Sequence, residues 1–292
     1  MMRFASCLLV FLVCHYAGLS LAEAGKCLEG NCLNGKGVMQ YDDGAKYSGE
    51  FKNSLRSGHG ILISEDGKQY DGEWAEDKKN GQGTLTSPGG KKYTGEFKDG
   101  VEEGQGNYTF PNGEVYTGAF AKGKPDGLGV HTYPDGGKYE GEFKKGLYEG
   151  NGTLVLSDGR KYVGDFSQGK ARGNGILTLA NGEKYIGEFA EGMGNGKGMY
   201  FFPDGTTYEG EWHDFKYHGR GAITFADGSR YVGEFNNGRR EGHGTITFPD
   251  GEVYKGNWQD DKRHGFGILI TSAGEKYEGE WQQDKFLGET NQ

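Results

Sequence analysis

The chain has 292 residues, of which 57 are Gly and only 6 are Pro, which excludes collagen-like and Pro-rich readings. Leu, Ile, Val and Phe make up 18% of it and the formal net charge is −9, a balance that leans toward disorder and disfavours nucleic acid as a partner. Against disorder stand 18 Tyr, 17 Phe and 4 Trp, so where those rings sit becomes the deciding question.

Residues 1–24 read as a signal peptide. Arg3 supplies the positive start, an apolar run covers 4–17, and the small residues Ser20, Ala22 and Ala24 follow, so cleavage is expected after Ala22 or Ala24. An uncleaved membrane anchor is the alternative, weakened by His15, Gly18 and Ser20 within the run. The expected location is the secretory pathway or the cell exterior, periplasmic or extracellular in a bacterium.

Residues 25–46 are expected to form an N-terminal capping segment and a half repeat, with Gly35-Lys36-Gly37 as its signature. Loss of the signal removes Cys7 and Cys14 and leaves Cys27 and Cys32. In an oxidising compartment a disulfide between those two would cinch the first hairpin and protect the sheet edge. Two free thiols are the alternative; a metal site is poorer, since no His lies close in sequence.

From residue 47 to 288 a block Tyr-x-Gly-acid-aromatic recurs every 23 residues, eleven times and without an insertion. Its rings are Tyr47 and Phe51, Tyr70 and Trp74, Tyr93 and Phe97, Tyr116 and Phe120, Tyr139 and Phe143, Tyr162 and Phe166. They continue as Tyr185 and Phe189, Tyr208 and Trp212, Tyr231 and Phe235, Tyr254 and Trp258, and Tyr277 and Trp281. The acid position is Asp or Glu in nine of the eleven copies. A Gly-x-Gly step such as Gly104-Gln105-Gly106 follows, and each unit closes on a turn such as Asn112-Gly113 or Asp250-Gly251.

The pattern Tyr-x-Gly-Glu-Phe/Trp-x-x-Gly-x-x-x-Gly-x-Gly resembles the MORN repeat, the membrane occupation and recognition nexus. The resemblance spans 35–288, about 87% of the chain. It implies association with membranes, contact with phospholipid, and protein assembly or homodimer formation.

The residues support a β structure by themselves. In 92–97 alternation puts Tyr93, Gly95 and Phe97 on one face and Lys92, Thr94 and Glu96 on the other. In 244–248 the same parity sets Gly244, Ile246 and Phe248 against two threonines. Pro249-Asp250-Gly251 then supplies the positive φ of a tight hairpin. The predicted fold is all-β: an elongated single-layer array of antiparallel β-hairpins, one per 23-residue repeat, open as a rod or trough. Glycines facing large rings are expected to leave notches in which the rings lie down. Residues 289–292 form a polar tail.

Other signals are weaker. The Gly-x-Gly steps lie inside strand patterns with no helix to follow, so they do not read as phosphate cradles. His59 with His243, and His213 with His218, read as surface rather than as metal ligands. The acids of the repeat are expected to make cross-strand salt pairs. Asn107 and Asn151 fit glycosylation acceptors. No catalytic constellation, metal site or cofactor motif is visible, so the chain reads as non-catalytic. The expected function is a secreted interaction or scaffold protein that presents an aromatic and Gly surface to a protein partner or to a second copy through exposed rings. A membrane-associated phospholipid-binding protein is one alternative, although no polybasic stripe supports it; an extracellular glycan- or peptide-binding module is another.

Overall fold

The computed structural model describes residues 25–289. The expected signal peptide and residues 290–292 of the tail lie outside them. Among the described residues every regular element is a strand: β1 (Gly25–Gly30) and β2 (Gly35–Tyr41), then alternating strands of seven and nine residues from β3 (Lys46–Lys52) and β4 (Leu55–Ile63) to β23 (Lys276–Gln282), with a short β24 (Lys285–Gly288) last. Each strand pairs antiparallel with the next in sequence, giving one 24-stranded meander. It does not close, since β1 pairs with β2 and β24 with β23. At ~4.8 Å per strand the array runs to about 110 Å before twist shortens it.

The repeat is clear in β7 (Lys92–Lys98) and β8 (Val101–Thr109). Their two-residue connection, Asp99-Gly100, has φ of 50° and 88°. Positive φ at both positions is the turn whose twist matches a hairpin. The unit-closing Asx-Gly step, Asn112-Gly113 in this repeat, lies in the other connection and differs from the expectation. In the loop after β8, only Gly113 takes positive φ, at 88°. Its N–H donates to the Phe110 carbonyl at 3.0 Å, and the Asn112 side chain accepts the Glu114 N–H at 3.1 Å. This is a loop closed by a single left-handed Gly, not a two-residue hairpin turn.

Candidate interaction surface

The repeat rings form the core. Nine of the Tyr side chains are no more than 2% exposed, and the others up to Trp281 lie at 6% or below, except Tyr277 at 39%. Tyr93 shows why. Its ring lies across the cross-strand pair Gly95 and Gly106, where a Cβ on Gly106 would come within 2.5–2.7 Å of the ring. Its hydroxyl donates to the Glu96 carbonyl at 2.8 Å, so the buried O–H is satisfied. Burial raises the pKa of these phenols; Tyr116 and Tyr254 are both pushed up to about 12. Each Tyr from Tyr47 to Tyr254 then meets two rings edge-on: for Tyr93 these are Phe97 of its own unit at 5.0 Å and Phe120 of the next at 4.9 Å. The same zigzag runs from Tyr47 to Trp281. The expectation of rings displayed to a partner is thereby corrected, because edge-to-face contact with neighbouring units covers them.

The repeat acids also do something other than expected. Between the glycine pair and the turn, the nine-residue strand carries extra residues against its predecessor, and the register shifts. That bulge frees a backbone N–H, which the acid takes up: Glu96 Oε1 accepts from Gln105 N at 3.0 Å, and Glu73 and Glu211 do likewise from Gln82 and Arg220. The carboxylate sits against Gly104, whose φ of 65° already favours Gly. Only Glu50, 4.0 Å from Lys36, makes an ion pair among the acids of this position in the described residues.

A further row covers the rings. In six of the nine-residue strands the second residue, Arg56, Lys79, Tyr148, Tyr217, Arg240 or Arg263, reaches over the aromatic of the next unit. Arg56, Arg240 and Arg263 lie 4.6, 4.4 and 4.5 Å from the rings of Trp74, Trp258 and Trp281. Each is held by an Asp in the following tight turn; Arg240 donates its N–H and Nε–H to Asp261 at 2.9 and 3.2 Å. In mid-array Tyr148 and Tyr217 stack on Tyr139 and Tyr208 at 3.7 and 3.8 Å. Tyr148 also joins a bracket that repeat logic does not reveal. His131 bonds Glu114 at 3.0 Å through Nε2 and the Tyr148 hydroxyl at 3.2 Å through Nδ1, and Tyr133 bonds the same hydroxyl. No periodic signal marks His131, since its counterparts are Tyr108 and Leu154.

The covering row fails at Ala171 and Gly194. There, in β14 (Lys170–Thr178) and β16 (Met193–Phe201), the side chains are too short to reach Phe189 and Trp212. Trp212 thus lacks the Arg and Asp found at the other three tryptophans. Phe215 stands in the turn position of those aspartates, with φ of 57°, and its ring leans over Gly194. Two apolar clefts result, of about 460 and 510 Å³, sharing Leu177, Phe215 and Arg160. The opposite face of the same stretch carries an aliphatic line, Val163, Ile176, Ile186 and Met199, paired across adjacent strands and each 37–39% exposed.

The remaining predicted positions fall as follows. Cys27 and Cys32 are joined, with Cα atoms 6.0 Å apart. Asn107 and Asn151 are exposed on strands, and Asn107 donates to Thr117 at 2.8 Å. His59 pairs with Asp71 at 3.2 Å, and His213 lies 5.7 Å from His218. Among the described residues no group of three His, Cys, Asp or Glu could hold a metal ion, and no helix is long and apolar enough to cross a membrane.

A family profile described as "MORN repeat" matches twelve consecutive segments, from 33–46 and 47–69 through 277–289. No curated protein matches the chain significantly. Among solved structures, the Drosophila melanogaster SAS-4 (dCPAP) TCP domain, in complex with a proline-rich motif of Ana2 (dSTIL), is 14% identical over 61% of this chain and 85% of that one, with a TM-score of 0.32. The Danio rerio CPAP TCP10 domain in complex with a STIL peptide is 15% identical over 78% and 97%, with a TM-score of 0.27. Virginiamycin B lyase from Staphylococcus aureus is 14% identical over 89% and 88%, with a TM-score of 0.15.

Proposed function

The chain belongs to the MORN repeat family, and from that premise we propose that it is a secreted, non-catalytic interaction module that binds a protein partner at the middle of its array. One observation carries this reading. Over β13 (Lys161–Ser167) to β18 (Lys216–Thr224) both faces of the sheet expose apolar surface, the clefts at Phe215 on one side and the Val163–Met199 line on the other. Contiguous exposed apolar surface of this kind marks interaction sites. Secretion is supported by the pattern of residues 1–24 and fits the Cys27–Cys32 disulfide.

Capture of a defined partner from the extracellular or periplasmic fraction tests the reading. The double variant Val163→Lys/Ile186→Lys and the variant Leu177→Asp should each be compared with Thr94→Lys, which alters a polar exposed position outside this stretch. Loss of partner in at least one of the first two, with retention in the third, is the expected result. Equal capture by all variants removes the reading. Anionic vesicles should not float the protein at low salt, because the chain carries net charge −9.

A further inference from the structure

We infer that the two clefts beside Phe215 together seat a polyproline-II segment of the partner, with an apolar side chain at every third residue and an acidic residue at the Lys216 end. The inference rests on the protein-partner reading and adds the form of the ligand and its place.

The first argument is spacing. The clefts belong to successive repeats, one over Phe166 and Phe189 and the other over Trp212, and so lie two strands apart, about 9.6 Å. A polyproline-II chain returns a side chain to the same side every three residues, or about 9.3 Å. A β-strand does so every ~6.7 Å, so its second anchor would fall on the wall at Phe215 between the clefts.

Backbone chemistry gives the second argument. A bound β-strand needs an unpaired sheet edge, whereas β14 and β16 are paired on both sides. A polyproline-II segment keeps its backbone solvated and needs only aromatic-lined relief, which Tyr200, Phe202, Trp212 and Phe215 supply.

Charge completes the case. In a protein of net charge −9, no Asp or Glu lines either cleft, while Arg160, Lys170 and Lys216 do. Arg160 is held by Asp158 and Lys170 by Glu191, at 2.8 and 2.7 Å. Lys216 has no ion pair among the described residues and is the cation facing an incoming carboxylate. Phe215 marks the spot independently. Its turn position takes positive φ throughout and is otherwise Gly, Ser or Asp among the described repeats, so Phe215, at φ of 57°, is the one bulky side chain held there, and strained bulky residues cluster at ligand clamps.

The test uses the full processed chain and a fluorescein-labelled decapeptide built on Pro-Pro-Leu triplets with one terminal Glu, read by anisotropy. Controls are the same peptide with Gly for every Pro and one with Lys for Glu. The Pro peptide should bind at least ten-fold more tightly than its Gly version. Leu177→Asp should cost ten-fold or more, with far-UV circular dichroism confirming the fold. The exposed charge swap Lys216→Glu, which disturbs no packing, should reverse the preference between the Glu and Lys peptides. Equal affinity for the Pro and Gly peptides, or no effect of Lys216→Glu, overturns the inference. If partner capture still depends on Val163 and Ile186 while the Pro peptide fails to bind, the inference falls and the protein-partner reading stands. If neither holds, both fall.

Discussion

A methyl group on Gly106 has nowhere to go, because the Tyr93 ring occupies the space and is fixed by its own hydrogen bond to Glu96. Gly106→Ala should therefore destabilise the array by about 1–3 kcal/mol, as overpacking does, although Ala is the better strand residue by propensity. Urea denaturation measures it, and a raised midpoint would remove the notch from the account of the fold. Tyr93→Phe keeps the ring and takes away the hydroxyl that donates to the Glu96 carbonyl, at a cost of about 1 kcal/mol. The notch was legible from parity alone, since Tyr93, Gly95 and Phe97 share a face. The acid's role was not. A cross-strand ion pair is the simplest reading of Glu beside Lys, and only the register shift at Glu103 and Gly104 exposes the N–H that Glu96 accepts.

Two kinds of turn alternate along the chain, and sequence reasoning assigned the tight one to the wrong place. Asx-Gly is the strongest short-range hairpin signal, yet here the positive-φ pair falls in a slot that reads Asx-Gly only at Asp99-Gly100 and Asn237-Gly238 and whose second residue is elsewhere Gly, Ser54, Asp77, Phe215, Asp261 or Asp284. The aspartates are explained by the arginines they hold, an arrangement that spans 21 residues and leaves no local signature. Two substitutions separate conformation from contact. Ser54→Gly removes a side chain at φ of 64° and should stabilise by about 1 kcal/mol. Asp261→Gly relieves the same conformation but releases Arg240 from above Trp258, so it should be neutral or destabilising in the same urea experiment. A clear gain at both positions would mean that the Arg–Asp bracket contributes nothing to stability.

Across the whole molecule, ring contacts run without a break from Tyr47 to Trp281, so units are coupled through their neighbours alone. Tyr139→Ala interrupts the zigzag at mid-array and should split one denaturation transition into two. Unchanged cooperativity would argue against ring coupling. Alkali addresses the same core from another side. Burial raises the folded-state phenols above their ordinary value of 10, Tyr116, Tyr162 and Tyr254 to about 12, so the unfolded chain ionises first. Stability is therefore intact below pH 10 and is lost as pH rises from 10 through about 12, each buried Tyr contributing up to ~1.4 kcal/mol per pH unit over that window. Tyrosinate absorbance and loss of β circular dichroism should appear together. Ionisation of the nine fully covered repeat tyrosines near pH 10 with the sheet intact would contradict the burial of the rings. Fold class and core were readable in advance because a fixed period repeats the same evidence eleven times. The uncovered stretch at Ala171 and Gly194 was not, because it is a departure from that period.

The uniform step of the meander gives the molecule the properties of a ruler. Excising residues 116–138 joins Val115 directly to Tyr139, which holds the same place in its ladder as Tyr116, and should shorten the particle by about 9.6 Å while keeping the strand register, at the loss of the His131 bracket. Length is thus graduated in whole units, and any two sites along it are separated by a distance that insertion or removal of one unit resets.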